Sequence, residues 1–169
     1  MIAVEVDAGP DWGGAGEWAA LAERAVLAAV RASAHDDLLD AASRIEVSIK
    51  LTDDEEVREL NAAFRSKDKP TNVLSFPMLE PDLLDGINLD TDGETLLGDV
   101  VVARGVCGTE AAEKGIPLDH HLTHLLVHGT LHLLGHDHGD NVEGDRMEEV
   151  ERAALATLGL PDPYLIGES

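Results

Sequence analysis

Five of the eight histidines in this 169-residue chain lie between His124 and His138, in the run His-Leu-Leu-Val-His-Gly-Thr-Leu-His-Leu-Leu-Gly-His-Asp-His. Residues four apart on a helix sit one above the other. His128 and His132 therefore project from one face, where two imidazoles can grip a single ion. Gly135 can take a positive φ, end the helix and turn the chain back, which brings His138 over the same face. The spacing H-x3-H-x2-G-x2-H is that of the extended zinc-protease motif H-E-x-x-H-x-x-G-x-x-H without its glutamate. Three neutral imidazoles and no fourth protein ligand leave a coordination position open, the mark of a catalytic rather than a structural zinc. Such a set keeps the double charge of the ion and draws the pKa of bound water toward about 7. One zinc ion held by His128, His132 and His138 is the expected cofactor, with affinity falling below about pH 6 as the imidazoles protonate. A lone histidine on an amphipathic helix is ordinarily a surface or core residue; the threefold spacing and the glycine reverse that reading. His136 also follows the glycine, two residues short of the third position. His120 and His124 continue the stripe and suit a supporting or solvent-facing role.

The elements that must position these groups are readable from periodicity. Residues 2–6 read as a strand, followed by a Gly/Pro/Asp loop, and Trp18 to about Ala34 has helical spacing with Leu21, Ala25, Ala28 and Ala32 on one face. Residues 45–51 alternate apolar and polar, as a half-buried strand does. Thr52 with Glu55 forms a capping box for a helix whose apolar stripe is Val57, Leu60, Ala63 and Phe64. A polar loop, 65–72, leads to a short strand, 73–76, stopped by Pro77. Residues 80–95 are acidic and read as a surface excursion. The strand 97–103 is more continuously apolar and therefore more central. Helices at about 104–114, 118–134 and 143–158 finish the chain. Early strands and late helices predict an α+β fold, a single mixed sheet packed with about five helices, in one domain spanning residues 1–169.

Composition narrows the function classes. Hydrophobic residues make up 44% of the chain, enough for a core. No apolar run reaches the roughly 20 residues that span a bilayer, and the N-terminus lacks signal-peptide features. The single cysteine, Cys107, forms no intramolecular disulfide and reads as a small buried hydrophobe. A cytoplasmic protein with no membrane partner is expected. Twelve Lys and Arg stand against 34 Asp and Glu, a net charge of −22, which by itself argues against binding polyanions. Aromatic residues are 3%, so no base-stacking platform is apparent; Trp12 and Trp18 are expected to pack the loop between them.

Three separated stretches resemble the YbeY family of bacterial rRNA-maturation endoribonucleases. His128-Gly-Thr-Leu-His-Leu-Leu-Gly-His-Asp-His138 is similar to its H-G-x-L-H-L-x-G-[YH]-D-H signature at every fixed position. Arg65-Ser-Lys-Asp-Lys-Pro-Thr-Asn-Val-Leu-Ser-Phe-Pro77 resembles R-x-K-D-x-P-T-[ND]-V-L-S-F-P, and Leu97-Gly-Asp-Val resembles L-G-D-[IV]. The resemblance implies an α+β fold with one sheet and a zinc held by His128, His132 and His138. The position of His136 is commonly Tyr or His in the family, which argues against a ligand role. It also implies a functional arginine at Arg65 and single-stranded RNA as substrate. Processing of the 3′ end of small-subunit rRNA follows, with ribosome quality control, and with the ribosome or ribosomal proteins as partners. A guanidinium at Arg65 suits that chemistry, since it is always charged and can hold two phosphoryl oxygens at once. Arg65, Lys67 and Lys69 put a quarter of the 12 cations into one loop. That local patch can seat a phosphate despite the global charge, because salt screens the wider field within about 8 Å.

Two competing readings remain. A metallopeptidase or amidase is favoured by the histidine spacing but lacks its base, because Gly129 stands where the protease motif has Glu. A non-catalytic ribosome-assembly factor would use the zinc only as a clamp.

Overall fold

The computed structural model describes residues 1–13, 16–79, 93–136 and 141–166. Its sheet has four strands, β1 (Ile2–Ala8), β2 (Arg44–Thr52), β3 (Val73–Pro77) and β4 (Glu94–Ala103), in the order β1-β2-β4-β3. The β1–β2 and β2–β4 pairs are parallel and β3 runs antiparallel to β4, so the sheet is mixed. Helices α1 (Gly16–Ala32), α2 (Asp54–Arg65), α3 (Arg104–Lys114), α4 (Leu118–Leu133) and α5 (Asn141–Thr157) pack around it, followed by a four-residue turn of helix, α6 (Pro163–Ile166). The α+β expectation holds. Of the acidic 80–95 stretch, residues 80–92 lie outside the described residues, while Glu94 and Thr95 already belong to β4.

Strand periodicity explains how the layers divide. Along β2 the alternate residues Ile45, Val47, Ile49 and Leu51 are at most 1% exposed and all join the main core. Along β4, Val100 and Val102 face that core, whereas Val101 and Ala103 face a second cluster with Val57 of α2 and Leu74 of β3. Both faces of β4 are therefore covered, as its continuous apolarity suggested, and it lies between β2 and β3. Buried Ala22, Ala25, Val26 and Ala29 of α1 bring small side chains against the main core, next to Leu122, Leu126 and Leu131 of α4. Trp12 and Trp18 meet edge to face at 5.3 Å.

Two local expectations are corrected. The cap of α2 is Asp53, whose carboxylate accepts the Glu56 N–H at 2.8 Å. Thr52 still belongs to β2, paired with Ala103, so its backbone is committed to the ladder; its hydroxyl instead donates to the Glu56 side chain. The predicted stripe of α2 is also only partly buried. Val57 is inside, but Ala63 is exposed and Phe64 is 67% exposed, with an edge-to-face contact to Phe76 at 5.5 Å. Asn61 takes the buried place instead, where its amide donates to the Lys69 carbonyl at 2.8 Å and holds the following loop.

Candidate active site

Helix α4 carries the histidines because it is anchored on its other sides. Leu131 and Leu133 are at most 1% exposed, and each such side chain contributes about 1.5–3 kcal/mol of burial. Its end is a Schellman arrangement. The Gly135 N–H donates to the His132 carbonyl at 3.1 Å and the His136 N–H to Leu131 at 3.0 Å, with Gly135 at φ 96°. Gly135 thus ends the helix at a positive φ, as expected, and the path on to His138 lies outside the described residues. His128 and His132 lie on one face, ring centroids 4.7 Å apart, with Nε2 facing Nε2 at 3.2 Å. The Nδ1 of His128 lies 2.7 Å from a carboxylate oxygen of Glu151 on α5. An acceptor there assigns the proton to Nδ1 and leaves Nε2 as a lone pair.

Two nitrogens bound to one tetrahedral zinc at about 2.0–2.1 Å lie roughly 3.3 Å apart. The His128–His132 pair therefore fits two corners of such an ion. Among the described residues, no group of three metal-binding side chains comes together. The third expected ligand, His138, lies outside the described residues. His136 lines the cleft beside His128 and His132.

Arg65 reaches the same cleft from the last turn of α2. Ser66 follows it at φ 57°, ending the helix so that the guanidinium swings toward β3. There Nη2 donates to the Ser75 carbonyl at 2.6 Å, and the guanidinium carbon sits 5.7 Å from the centre of the Phe76 ring. Ser75 also touches α4, its hydroxyl donating to the Gly129 carbonyl at 3.3 Å. One strand residue thus ties the arginine to the histidine helix. The cleft of about 360 Å³ has Arg65, Ser75, His128, His132 and His136 in its walls. A neighbouring depression of about 460 Å³ shares Arg65, Val73 and Leu74 and continues past Lys67 and Lys69.

The glycine after His128 acquires a physical reason. Gly129 faces the sheet, and a Cβ there would lie 2.7 Å from Val100 Cγ1 and 3.2 Å from Ser75 Oγ. A glutamate at this position has no room and would not face the cleft. Gly98 of the Leu97-Gly-Asp motif is equally constrained. It sits at φ 155° beside a register shift between β2 and β4, and a Cβ would lie 2.6 Å from Leu133 Cδ2.

Of the residues singled out in the sequence, His128, His132 and Arg65 come together at one cleft, and Lys67 and Lys69 stand exposed along its extension. His124 turns inward, its Nε2 3.3 Å from the same Glu151 oxygen, at ion-pair distance but outside hydrogen-bond geometry. Glu151 did not stand out in the sequence. Its signal was a carboxylate in the apolar stripe of α5, one turn from Met147 on one side and Leu155 on the other.

The family model described as Endoribonuclease YbeY matches residues 17–159. Relatives of that name include those of Rhizorhabdus wittichii, 59% identical over 99% of both chains, and Sphingopyxis alaskensis, 52% identical over 97% of this chain and 98% of that one. A third, from Zymomonas mobilis, is 49% identical over 97% of this chain and 93% of its own. The solution structure of a Thermotoga maritima protein shares the fold, with a TM-score of 0.56 at 22% identity over 96% of this chain and 98% of that one. With its cleft built on two of the three separated motifs, and with matches running almost end to end, the chain belongs to the YbeY family of endoribonucleases.

Proposed function

We propose that this chain is a zinc-dependent endoribonuclease that cuts single-stranded RNA during rRNA maturation, including the 3′ end of small-subunit rRNA, and serves ribosome quality control in the cytoplasm. The observation that carries the reading is the convergence of the His128 and His132 Nε2 atoms at 3.2 Å in a cleft that Arg65 also lines. His138 is the third ligand in this reading. A bound zinc would supply Lewis-acid chemistry, acidifying a water and offsetting phosphate charge. Arg65 spends one N–H on Ser75 and keeps others for two phosphoryl oxygens, where charge grows as the nucleophile reaches phosphorus. Lys67 and Lys69 seat the neighbouring phosphates. Among the described residues neither lysine nor Arg65 forms an ion pair, while Asp68 between them is neutralised by Arg58 at 2.6 Å. Single-stranded RNA suits an open groove with one short row of cations.

The net charge of −22 limits affinity for free RNA. Targeting therefore comes from the ribosome or from ribosomal proteins with basic surfaces. The peptidase reading is disfavoured by Gly129, which packs against Val100 and admits no base. Cleavage of a single-stranded RNA by wild type, His132→Ala and Arg65→Ala, each with its melting temperature, tests the proposal. His132→Ala should abolish cleavage. Arg65→Ala should slow it about 10²–10³-fold with little change in melting temperature, since the side chain is largely exposed. Cleavage undiminished in both variants would refute the mechanism. Loss of stability without loss of rate in Arg65→Ala would favour the scaffolding role. Ends carrying 2′,3′-cyclic phosphate would identify the ribose 2′-OH as nucleophile.

A further inference from the structure

Behind the histidine pair, α5 places Glu151, a carboxylate with no exposed surface, among Met147, Ala154 and Leu155. A buried charge persists only when it is paired, and each of its partners can be named. Oε1 faces His128 Nδ1 at 2.7 Å and His124 Nε2 at 3.3 Å. Oε2 accepts the hydroxyl of Tyr164, the only tyrosine of the chain, which stands on α6. With Oε2 taking the Tyr164 hydroxyl and Oε1 facing imidazole nitrogens, both oxygens of the carboxylate meet donors. An ionised carboxylate only accepts hydrogen bonds, so the proton between it and His128 sits on the imidazole. Tyr164 is itself braced, its ring under the Arg152 guanidinium at 5.3 Å and against His124 with centroids 5.6 Å apart.

We propose that Glu151, locked in place by Tyr164, is the positioning residue that fixes the tautomer and ring orientation of His128, and that α6 thereby belongs to the metal site although it contributes no ligand. A histidine that gives its second N–H to a carboxylate is oriented and made more basic, and loss of that partner typically weakens metal binding about 10–100-fold. The inference rests on the reading that His128 and His132 hold a metal. Its alternative is a Glu151 that merely pins α5 to α4.

The test uses full-length wild type, Glu151→Gln and Tyr164→Phe. Zinc affinity is measured by competition with a chelator. The His128 ring tautomer is read in the metal-free proteins from nitrogen chemical shifts, with melting temperatures alongside. Glu151→Gln should bind zinc about 10–100-fold more weakly and show both ring tautomers in place of Nδ1–H alone. Tyr164→Phe should shift both readouts in the same direction by less, with an unchanged metal-free melting temperature. Zinc affinities within about twofold of wild type, with His128 still Nδ1–H in both variants, would overturn the proposal. Tyr164→Phe decides alone if Glu151→Gln does not fold. A wild type that binds no zinc would instead remove the metal reading, and the tautomer measurement would still decide whether Glu151 sets the ring.

Discussion

His121 and His128 stand on the same helix and meet opposite surroundings. His121 is 1% exposed, with Nε2 2.9 Å from Glu110, while the His128 side chain keeps 20% of its surface in the cleft. Burial lowers the pKa of His121 further than its bond to Glu110 raises it. The folded state then resists protonation that the unfolded chain accepts, so its stability contribution is present above the ordinary histidine pKa and is lost as pH falls through it. Replacing His121 with Gln should flatten the fall in melting temperature between about pH 7 and pH 5, and an unchanged slope would contradict this assignment. Their shared place at this scale was legible, His128 and His132 through helical spacing and Arg65 through the resemblance of its loop, for all three line one cleft. Cys107 read correctly as a buried small hydrophobe, and burial pushes its thiol up to about 12. Glu151 was not legible, because one acidic residue in a stripe looks like an interruption until its partners on other elements are known.

Elements were read best where one period dominates. The alternation of β2 and the apolarity of β4 gave their faces and the central place of β4, since burial on one side or both leaves that imprint. Helix α2 was read less well, because a stripe says which side is apolar but not how much sheet remains to cover it. Phe64 stays 67% exposed and Asn61 is buried for its hydrogen bond to the loop. A close approach between elements is made at Gly129, where α4 meets Val100 of β4. Gly129→Ala gains helix propensity but forces that contact apart, and overpacking of this kind costs about 1–3 kcal/mol. A lowered melting temperature and reduced metal affinity are expected together, since His128 is the neighbouring residue. A variant as stable as wild type would mean that the helix and sheet can yield here.

Over the whole molecule, the charge balance and the site pull in opposite directions. Among the described residues Arg44, Lys50, Arg58 and Arg152 are engaged with acids, whereas Arg65, Lys67 and Lys69 line the groove. Three phosphate contacts on a single strand give a log–log salt slope of about −2. Lys67→Ala or Lys69→Ala should each reduce the slope by about 0.7. Nanomolar binding of free RNA at physiological salt would contradict the reliance on a ribosomal partner. No helix among the described residues is long and apolar enough to cross a membrane, as the lack of long apolar runs foretold. The proposed catalytic zinc, held by imidazoles of α4 and by His138, is tested most directly by X-ray absorption at the zinc edge of the purified protein. One zinc per chain is expected, with three imidazole nitrogens and one oxygen at about 2.0–2.1 Å. Absence of stoichiometric zinc from a protein offered the metal, or a shell closed by four protein ligands, would contradict it.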